Sequence, residues 1–255
     1  MSAFSKRIWL TGAGSGIGNA LAERLLLDGH RLALSASREE PLQALAERFP
    51  GKVLVLAGEL SEFTEVNAIT ARLDEHWGAL DCAILNAGTC AHLDASDREA
   101  RTVERVMRTH LFSASQCIVA ALPLLRRAAS AHLVGVAGTV AYRPLPGAGA
   151  FGSAKPALRY LLESLRVDLA QEGIAVTVVN PGFVDTALSE TSVCPLSMRW
   201  SASQAAKHIA DKLDARPLEI AFPGPLSAAL GLIARLPARL QLAVGKRLAR
   251  NNRDI

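Results

Sequence analysis

The chain has 255 residues, of which 50% are hydrophobic and 20% charged, so it has ample apolar side chain for a core and is not expected to be disordered. The net charge of +4 is small for this length and only 5% of the residues are aromatic, which argues against a nucleic-acid partner. We expect no signal peptide, and no apolar run reaches the ~18 residues that a membrane span needs.

The cysteines indicate the compartment. They form no CxxC pair and lack metal-ligand spacing to histidine. They are Cys82, Cys90, Cys117 and Cys194. We therefore expect reduced thiols in a cytoplasmic protein, with no disulfide and no metal. We interpret Cys90 as a small buried thiol, the alternative being a residue near a pocket.

Short aliphatic and β-branched runs alternate with longer helical patterns along the chain. The predicted strands are residues 7–11, 31–35, 52–57, 80–86, 131–136, 174–180 and 218–222. Helical patterns between them, such as 18–28 and 39–48, end at glycine or proline. This alternation predicts an α/β fold with a single, roughly seven-stranded parallel sheet and helices on both faces, the doubly wound Rossmann arrangement, as one domain over residues 1–255.

The segment 185–203 departs from this alternation. It has weak periodicity and several Ser and Thr residues, and it precedes a predicted helix over 204–213. We expect it to form a lid over a site.

A glycine-rich turn directly follows the first predicted strand and opens the first helix. Glycines here allow a tight turn and a close backbone approach, so that a pyrophosphate can lie at the positive end of the helix. The predicted cofactor-binding residues of this turn are Gly12, Gly14, Ser15, Gly16, Ile17 and Gly18.

The spacing Gly-x-x-x-Gly-x-Gly resembles the short-chain dehydrogenase/reductase family, over about residues 6–222. Three further matches support the resemblance: Asn86-Ala87-Gly88, Lys155, and the run from Pro181 to Thr186. The resemblance implies that residues 86–88 shape the adenosine side of a nicotinamide dinucleotide pocket. It also implies that the last run holds the nicotinamide amide through Pro181, Gly182, Val184 and Thr186.

The end of the second strand bears on the type of cofactor. The chain reads Ser35-Ala36-Ser37-Arg38, where an acidic residue would hold a ribose hydroxyl and a basic one would accept a 2′-phosphate. Arg38 therefore favours NADP(H), the alternative being a solvated arginine at a helix start. The resemblance places Glu59 and Leu60 near the adenine.

The catalytic positions depart from the family. The resemblance implies a proton-exchanging Tyr four residues before Lys155, a Ser thirteen residues before that Tyr, and an Asn in the preceding long helix. This chain has Phe151, Gly138 and His110 at those positions, and only Lys155 matches. Since a positioned general acid contributes about 10²–10⁴-fold, we expect weak or atypical activity.

Other groups could supply the missing proton. Thr139 follows the Ser position, Tyr142 lies nearby, and His110 titrates near neutrality. The simpler interpretations are that Thr139 faces away, that Tyr142 packs in a loop, and that His110 is a polar helix residue. If the protein is active, we expect Lys155 to orient the cofactor and His110 or an ordered water to give the proton.

Two helical regions are expected to make further contacts. The helices around 102–125 and 151–173 imply a homo-oligomer by family resemblance, and Pro156 predicts that the second begins near Gly152. Residues 224–255 form a predicted helical extension broken at Pro237, with a basic amphipathic second part. Packing on its own domain or on a partner subunit is favoured over contact with an anionic membrane.

Together these patterns predict an NADP(H)-binding oxidoreductase acting weakly on a small carbonyl or alcohol substrate. The alternative is a non-catalytic cofactor-binding protein that serves as a sensor or oligomer partner. A third explanation is alteration of the catalytic residues from an active parent.

Overall fold

The computed structural model describes residues 5–88, 100–145, 148–185 and 199–251. The strands are β1 (Arg7–Thr11), β2 (Arg31–Ser35), β3 (Val53–Val55), β4 (Cys82–Leu85), β5 (His132–Val136), β6 (Ala175–Pro181), β7 (Val184–Asp185), β8 (Trp200–Ser201) and β9 (Glu219–Phe222). The α-helices are α1 (Gly16–Leu27), α2 (Glu40–Arg48), α3 (Phe63–Trp77), α4 (Ala100–Met107), α5 (Ser113–Arg126), α6 (Gly149–Ala170), α7 (Ala202–Leu213), α8 (Gly224–Ala234) and α9 (Ala238–Asn251). A π-helical turn, Arg108–Phe112, joins α4 to α5, and a 3₁₀ helix, Thr139–Tyr142, follows β5.

Seven strands form one parallel sheet in the order β3-β2-β1-β4-β5-β6-β9. The predicted α/β fold with a roughly seven-stranded sheet is therefore confirmed. The strand order reverses between β1 and β4, which leaves a crevice at the carboxyl ends of these two strands. Both the glycine turn and residues 86–88 follow strands at this switch point.

Helices cover both faces of the sheet because successive strand residues point to opposite sides. On one face, Trp9 and Leu133 pack in a core with buried residues of α3, α5 and α6. On the other, Leu10 and Val134 pack with buried residues of α1, α2 and α7.

The helix α6 begins earlier than predicted. It starts at Gly149, and Pro156 lies inside it, so the expected start near Gly152 is wrong. Pro156 removes one backbone donor from the helix. Burial of Ala150 and Ala154 against Val106 of α4 stabilises the extra turns in front of it.

The apolar stripe of α6 is used mostly by its own domain. Leu158 and Leu162 are buried, and Leu161 and Leu165 pack against the same core. The stripe is therefore largely covered within the domain. Other apolar residues of the two long helices are exposed instead, namely Val119, Tyr160 and Val167.

The segment predicted as a lid is described only at its ends. Residues 186–198, and with them Thr186 and Cys194, lie outside the described residues, as does Cys90. At the two ends of the segment, β7 pairs with β8 in parallel, with Val184 opposite Trp200. In the part of the chain that the structure describes, none of the helices has both the length and the apolar composition to cross a membrane.

Candidate functional site

The glycine turn between β1 and α1 brings two backbone segments into contact. Gly12 has a φ of +66°, and a Cβ there would lie 2.7 Å from the Cα of Ala87. A Cβ at Gly18 would lie 2.0 Å from the carbonyl oxygen of Gly12. Both positions therefore exclude any side chain, and Ser15 precedes α1 without a side-chain cap, so the turn presents main-chain groups at the helix start.

Residues 86–88 are held against this turn by hydrogen bonds to β1. The Thr11 hydroxyl oxygen accepts from the backbone N–H groups of Asn86 and Ala87 at 3.0 and 3.2 Å. The Asn86 side-chain amide donates to the Gly12 carbonyl at 3.2 Å. Thr11 thus positions one wall of the crevice. Sequence reasoning did not select this residue, although a threonine at the end of an apolar strand was the available signal.

The end of β2 forms the neighbouring wall. The Ala13 N–H donates to the Ser35 carbonyl at 3.2 Å, and Gly14 lies against Ala36, where a Cβ would be 3.1 Å from the Ala36 methyl. Arg38 is exposed just beyond, and no acidic side chain occupies positions 36–38.

The predicted adenine position lies beside this wall. The Gly58 N–H donates to the Ala36 carbonyl at 3.0 Å, which brings the turn containing Glu59 and Leu60 next to the end of β2. Glu59 is exposed and Leu60 is buried.

Three predicted residues meet around Phe151. Its ring centroid lies 5.3 Å from that of His110 in an edge-to-face arrangement. The Lys155 Nζ lies 5.5 Å from the same ring and donates to the Val136 carbonyl at 2.8 Å. His110 and Lys155 are both buried, so the phenyl ring lies between two buried groups with exchangeable protons.

Gly88 joins this cluster to the crevice. A Cβ at Gly88 would lie 2.4 Å from Cε1 of His110, so the imidazole packs directly on the backbone of the 86–88 turn. His110 itself lies in the π-helical turn, an arrangement common at functional sites.

Gly138 is positioned by a polar network behind the cluster. Its N–H donates to the Asn180 side-chain oxygen at 3.1 Å, and the Asn180 amide donates to Glu219. Its φ of +155° is one that side-chain-bearing residues rarely adopt. Asn180 was not selected from the sequence, although an asparagine near the end of a largely apolar strand was a signal.

Tyr142 belongs to the same network. It lies in the 3₁₀ helix, where its hydroxyl donates to Glu219, and the Arg159 guanidinium lies 4.7 Å from its ring centroid. Desolvation and the bond to Glu219 raise the pKa of Tyr142 to about 12. The alternative that Tyr142 is a loop residue is therefore wrong, and its hydroxyl is engaged with a carboxylate. Thr139 is buried in the same 3₁₀ helix.

The run after β6 is held by the neighbouring edge strand. The Gly182 N–H donates to the Phe222 carbonyl at 2.7 Å, and a Cβ at Gly182 would lie 2.9 Å from Cδ of Pro223. Pro181 ends β6 and Val184 is buried. The backbone at 181–184 is therefore fixed at the carboxyl end of the sheet, on the same side as the crevice.

A cavity of about 280 Å³ lies at the opposite, amino end of the sheet. Its lining includes Lys6, His30, His132 and Arg216. Burial, with Arg216 and Lys6 nearby, lowers the pKa of His132 to about 4. The cavity is thus separate from the crevice, and among the described residues no group of three or more His, Cys, Asp or Glu side chains could hold a metal ion.

Comparison with known proteins identifies the family. The family model for short chain dehydrogenases matches residues 6–194. An uncharacterized oxidoreductase of Myxococcus xanthus is 30% identical over 242 residues, which cover 94% of this chain and 96% of that protein.

Two solved structures share the fold. A short-chain dehydrogenase from Streptomyces avermitilis matches with a TM-score of 0.84 and 24% identity, covering 98% of this chain and 99% of that one. An alcohol dehydrogenase from the archaeon Thermococcus sibiricus, solved with 5-hydroxy-NADP, matches with a TM-score of 0.77 and 22% identity, covering 86% of this chain and 96% of that one.

The chain belongs to the short-chain dehydrogenase family, an oxidoreductase family whose members bind nicotinamide dinucleotides. The crevice fits such a group, because α1 begins without a side-chain cap and its first main-chain N–H groups can bind a pyrophosphate.

Proposed function

We propose that this protein binds NADP(H) in the crevice beside the glycine turn and transfers hydride only weakly to or from a small carbonyl or alcohol. The observation that carries the proposal is the ring of Phe151, which lies between His110 and Lys155 and has no exchangeable proton. A bound nicotinamide supplies the hydride, whereas the protein must supply or remove the proton.

We assign Lys155 the role of holding the ribose hydroxyls of the cofactor. Its ammonium is buried beside Phe151 and fixed by the Val136 carbonyl. This role needs hydrogen-bond donors and no phenol. Binding can therefore persist while proton transfer fails.

The proton must come from a group other than residue 151. His110 contacts the Phe151 ring, and an imidazole has one ring nitrogen that can accept a proton and one that can donate a proton. We propose that His110, or an ordered water, performs this transfer slowly. Tyr142 is a poorer candidate because its hydroxyl donates to Glu219 and its pKa is raised to about 12.

The preference for NADP(H) rests on the end of β2. Arg38 is exposed there, and positions 36–38 carry no carboxylate that would repel a 2′-phosphate. Fluorescence titration should give a dissociation constant for NADPH about tenfold or more below that for NADH. Arg38→Ala should remove the difference, whereas Arg31→Ala, exposed at the other end of β2, should preserve it. Equal affinities in the unmodified chain would reject the preference.

Weak turnover is tested separately from binding. Single-turnover oxidation of bound NADPH is followed with a panel of ketones and aldehydes. The proposal expects binding without ordinary reduction, at rates well below ~1 per second.

A non-catalytic role is the second candidate, favoured by the same phenyl ring. In that case the protein serves as a cofactor sensor or as an oligomer partner of an active relative. No measurable NADPH oxidation with any carbonyl, together with tight NADPH binding, would select it. Slow oxidation that falls further in His110→Ala would select weak catalysis.

We also propose a cytoplasmic homo-oligomer. Val119, Tyr160 and Val167 leave an apolar surface exposed on α5 and α6, which a second copy of the chain could cover.

The cytoplasmic location rests on the cysteines, and the oligomer has its own test. Burial raises the pKa values of the Cys82 and Cys117 thiols to about 12, which suits unreactive, reduced cysteines. Light scattering should give at least about twice the 27.0 kDa chain mass. Tyr160→Glu with Val167→Glu should give the monomer, and Leu27→Glu should not.

A further inference from the structure

The helix α8 is apolar on all sides yet mostly uncovered. It carries no charged side chain over its 11 residues, and Leu230 is the buried one among them. Leu232 is 66% exposed. A helix that is hydrophobic all round is normally buried in a core or in lipid, so the exposed side of this helix lacks a covering surface within the described part of the chain.

The helix α9 extends this surface with leucines and cations. Its inner side is marked by Arg143, which donates to the Gln241 carbonyl and lies near Gly245. Leu240 and Leu242, outside that contact, are 53% and 59% exposed. The packing on its own domain that the sequence favoured therefore covers only one side of α9.

Cations share this outer face. Arg239 and Lys246 are both exposed and lie seven residues apart, as do Leu240 and Arg247, so each pair falls on one side of the helix. Basic side chains can extend toward phosphates while leucines enter the acyl boundary.

The charged side chains of the C-terminal segment are all positive. Residues 224–251 contain five Arg and Lys residues and no Asp or Glu, although the whole chain has a net charge of only +4. The remainder of the chain is therefore net negative, and the positive charge is concentrated next to the uncovered leucines. An apolar surface with this charge complements the cytoplasmic leaflet of a membrane, which is negatively charged.

We infer that α8 and α9, the C-terminal helical unit (residues 224–251), dock this protein on an anionic lipid surface. A second copy of the chain is a poorer occupant, because a two-fold contact through this face would bring its cations together. A nucleic acid is also poorer, because residues 223–255 contain no aromatic side chain on which bases could stack. The inference is independent of the proposed catalytic chemistry.

The test is flotation of the full chain with phosphatidylcholine vesicles that contain or lack phosphatidylglycerol. Partitioning should be about tenfold or more stronger with phosphatidylglycerol, and should fall when NaCl is raised to about 0.5 M. Leu240→Ser with Leu242→Ser should lower partitioning about tenfold on the anionic vesicles. Arg239→Glu with Lys246→Glu should abolish the preference for phosphatidylglycerol.

The matched control is Leu27→Ser with Leu218→Ser, since these leucines are 67% and 65% exposed on other elements. It should leave flotation unchanged. All substituted residues are exposed, and an unchanged thermal unfolding midpoint checks that each variant folds.

Three results would overturn the inference. The first is the absence of flotation with either vesicle, and the second is flotation that the leucine and cation substitutions leave unchanged. The third is a pair of results: the unmodified chain does not float, and the Leu240→Ser with Leu242→Ser variant has half its mass by light scattering. That pair would make the surface an interface between copies of the chain.

Discussion

The two sides of the candidate site differ in whether main-chain or side-chain atoms form them. The glycine turn and residues 86–88 form a cradle from main-chain atoms, with approaches that leave no room for a Cβ at Gly12 or Gly18. The side at which we propose proton transfer is built from the side chains of His110, Phe151 and Lys155. A side chain can be exchanged there without moving the backbone. Chemistry is therefore easier to lose than binding.

The two sides meet at Gly88. The His110 ring packs on its backbone, while the Thr11 hydroxyl fixes the preceding N–H groups. A substitution can thus be assigned to one side or the other. We expect substitutions on the side-chain side to change the rate of NADPH oxidation, and substitutions on the main-chain side to change NADPH affinity.

The largest expected effect is a gain of chemistry on the side-chain side. Phe151→Tyr should raise the single-turnover rate of NADPH oxidation about 10²–10⁴-fold, because it restores a phenol beside Lys155 without requiring a backbone change. NADPH affinity should change little. Phe63→Tyr, which adds a phenol to an exposed position, is the control and should leave the rate unchanged.

This prediction fails if the unmodified protein already turns over at about 1 per second or faster. In that case another group gives the proton efficiently, and His110→Ala is the next variant to measure.

The second effect is a loss of binding on the main-chain side. In Gly18→Ala the new methyl would lie 2.0 Å from the Gly12 oxygen and 2.5 Å from the Asn86 amide nitrogen. We expect the free energy of unfolding to fall by about 2–4 kcal/mol and NADPH affinity to fall about 100-fold. Urea unfolding and fluorescence titration measure the two quantities.

Gly231→Ala provides the control for the same substitution, because a Cβ there meets open space in α8. It should be neutral or stabilise by up to about 1 kcal/mol. Equal effects of the two substitutions would mean that the close approach at Gly18 is unimportant.

A third prediction concerns Gly138, whose conformation makes full restoration of the family pattern costly. Gly138→Ser has space, since the nearest contact of a Cβ is 3.6 Å, but the φ of +155° is strained for serine. We expect a loss of about 1–3 kcal/mol in unfolding free energy. Gly152→Ser, with helical φ and ordinary contacts, should cost less.

Because such residues act as a unit, Phe151→Tyr alone should recover only part of the family's rate, and adding Gly138→Ser should raise the rate further at a cost in stability. A double variant as stable as Phe151→Tyr alone would show that the backbone at 138 adjusts freely.

The smallest effect separates Tyr142 from catalysis. Its pKa is about 12 in the folded protein against 10.0 in the unfolded chain, so its contribution to stability is present below pH 10 and is lost as the pH rises through 12. Because the ring is partly exposed, we expect about 1 kcal/mol. Tyr142→Phe should remove this part of the alkaline destabilisation and leave turnover unchanged.

The chain has two tyrosines, so ultraviolet titration of Tyr160→Phe follows Tyr142 alone. An apparent pKa near 10 there, or a lower turnover rate in Tyr142→Phe, would place Tyr142 among the reacting groups instead.

The strands and the glycine turn were predictable because their signals are local. Short, nearly continuous apolar runs such as 131–136 mark buried parallel strands, and a glycine-rich run between a strand and a helix has few other uses. These features need only the chain's own neighbours to be recognised.

The missed features depend on distant partners. Thr11 acquires its role from residues 86 and 87, and Asn180 from Gly138. Pro156 was expected to lie in the first turn of its helix, but packing of Ala150 and Ala154 on α4 extends the helix before it. Tertiary contacts thus overrode local preference at each of these positions.

The π-helical turn at Arg108–Phe112 sets the rotational phase between α4 and α5. The Ser113 N–H bonds to the Arg108 carbonyl, five residues back, and the Ser113 hydroxyl satisfies the Thr109 carbonyl that this wider turn bypasses. One extra residue per turn rotates everything downstream by about 100° relative to an uninterrupted α-helix. Deleting one residue here would therefore return the run to a single α-helix and turn the buried face of α5 away from the sheet.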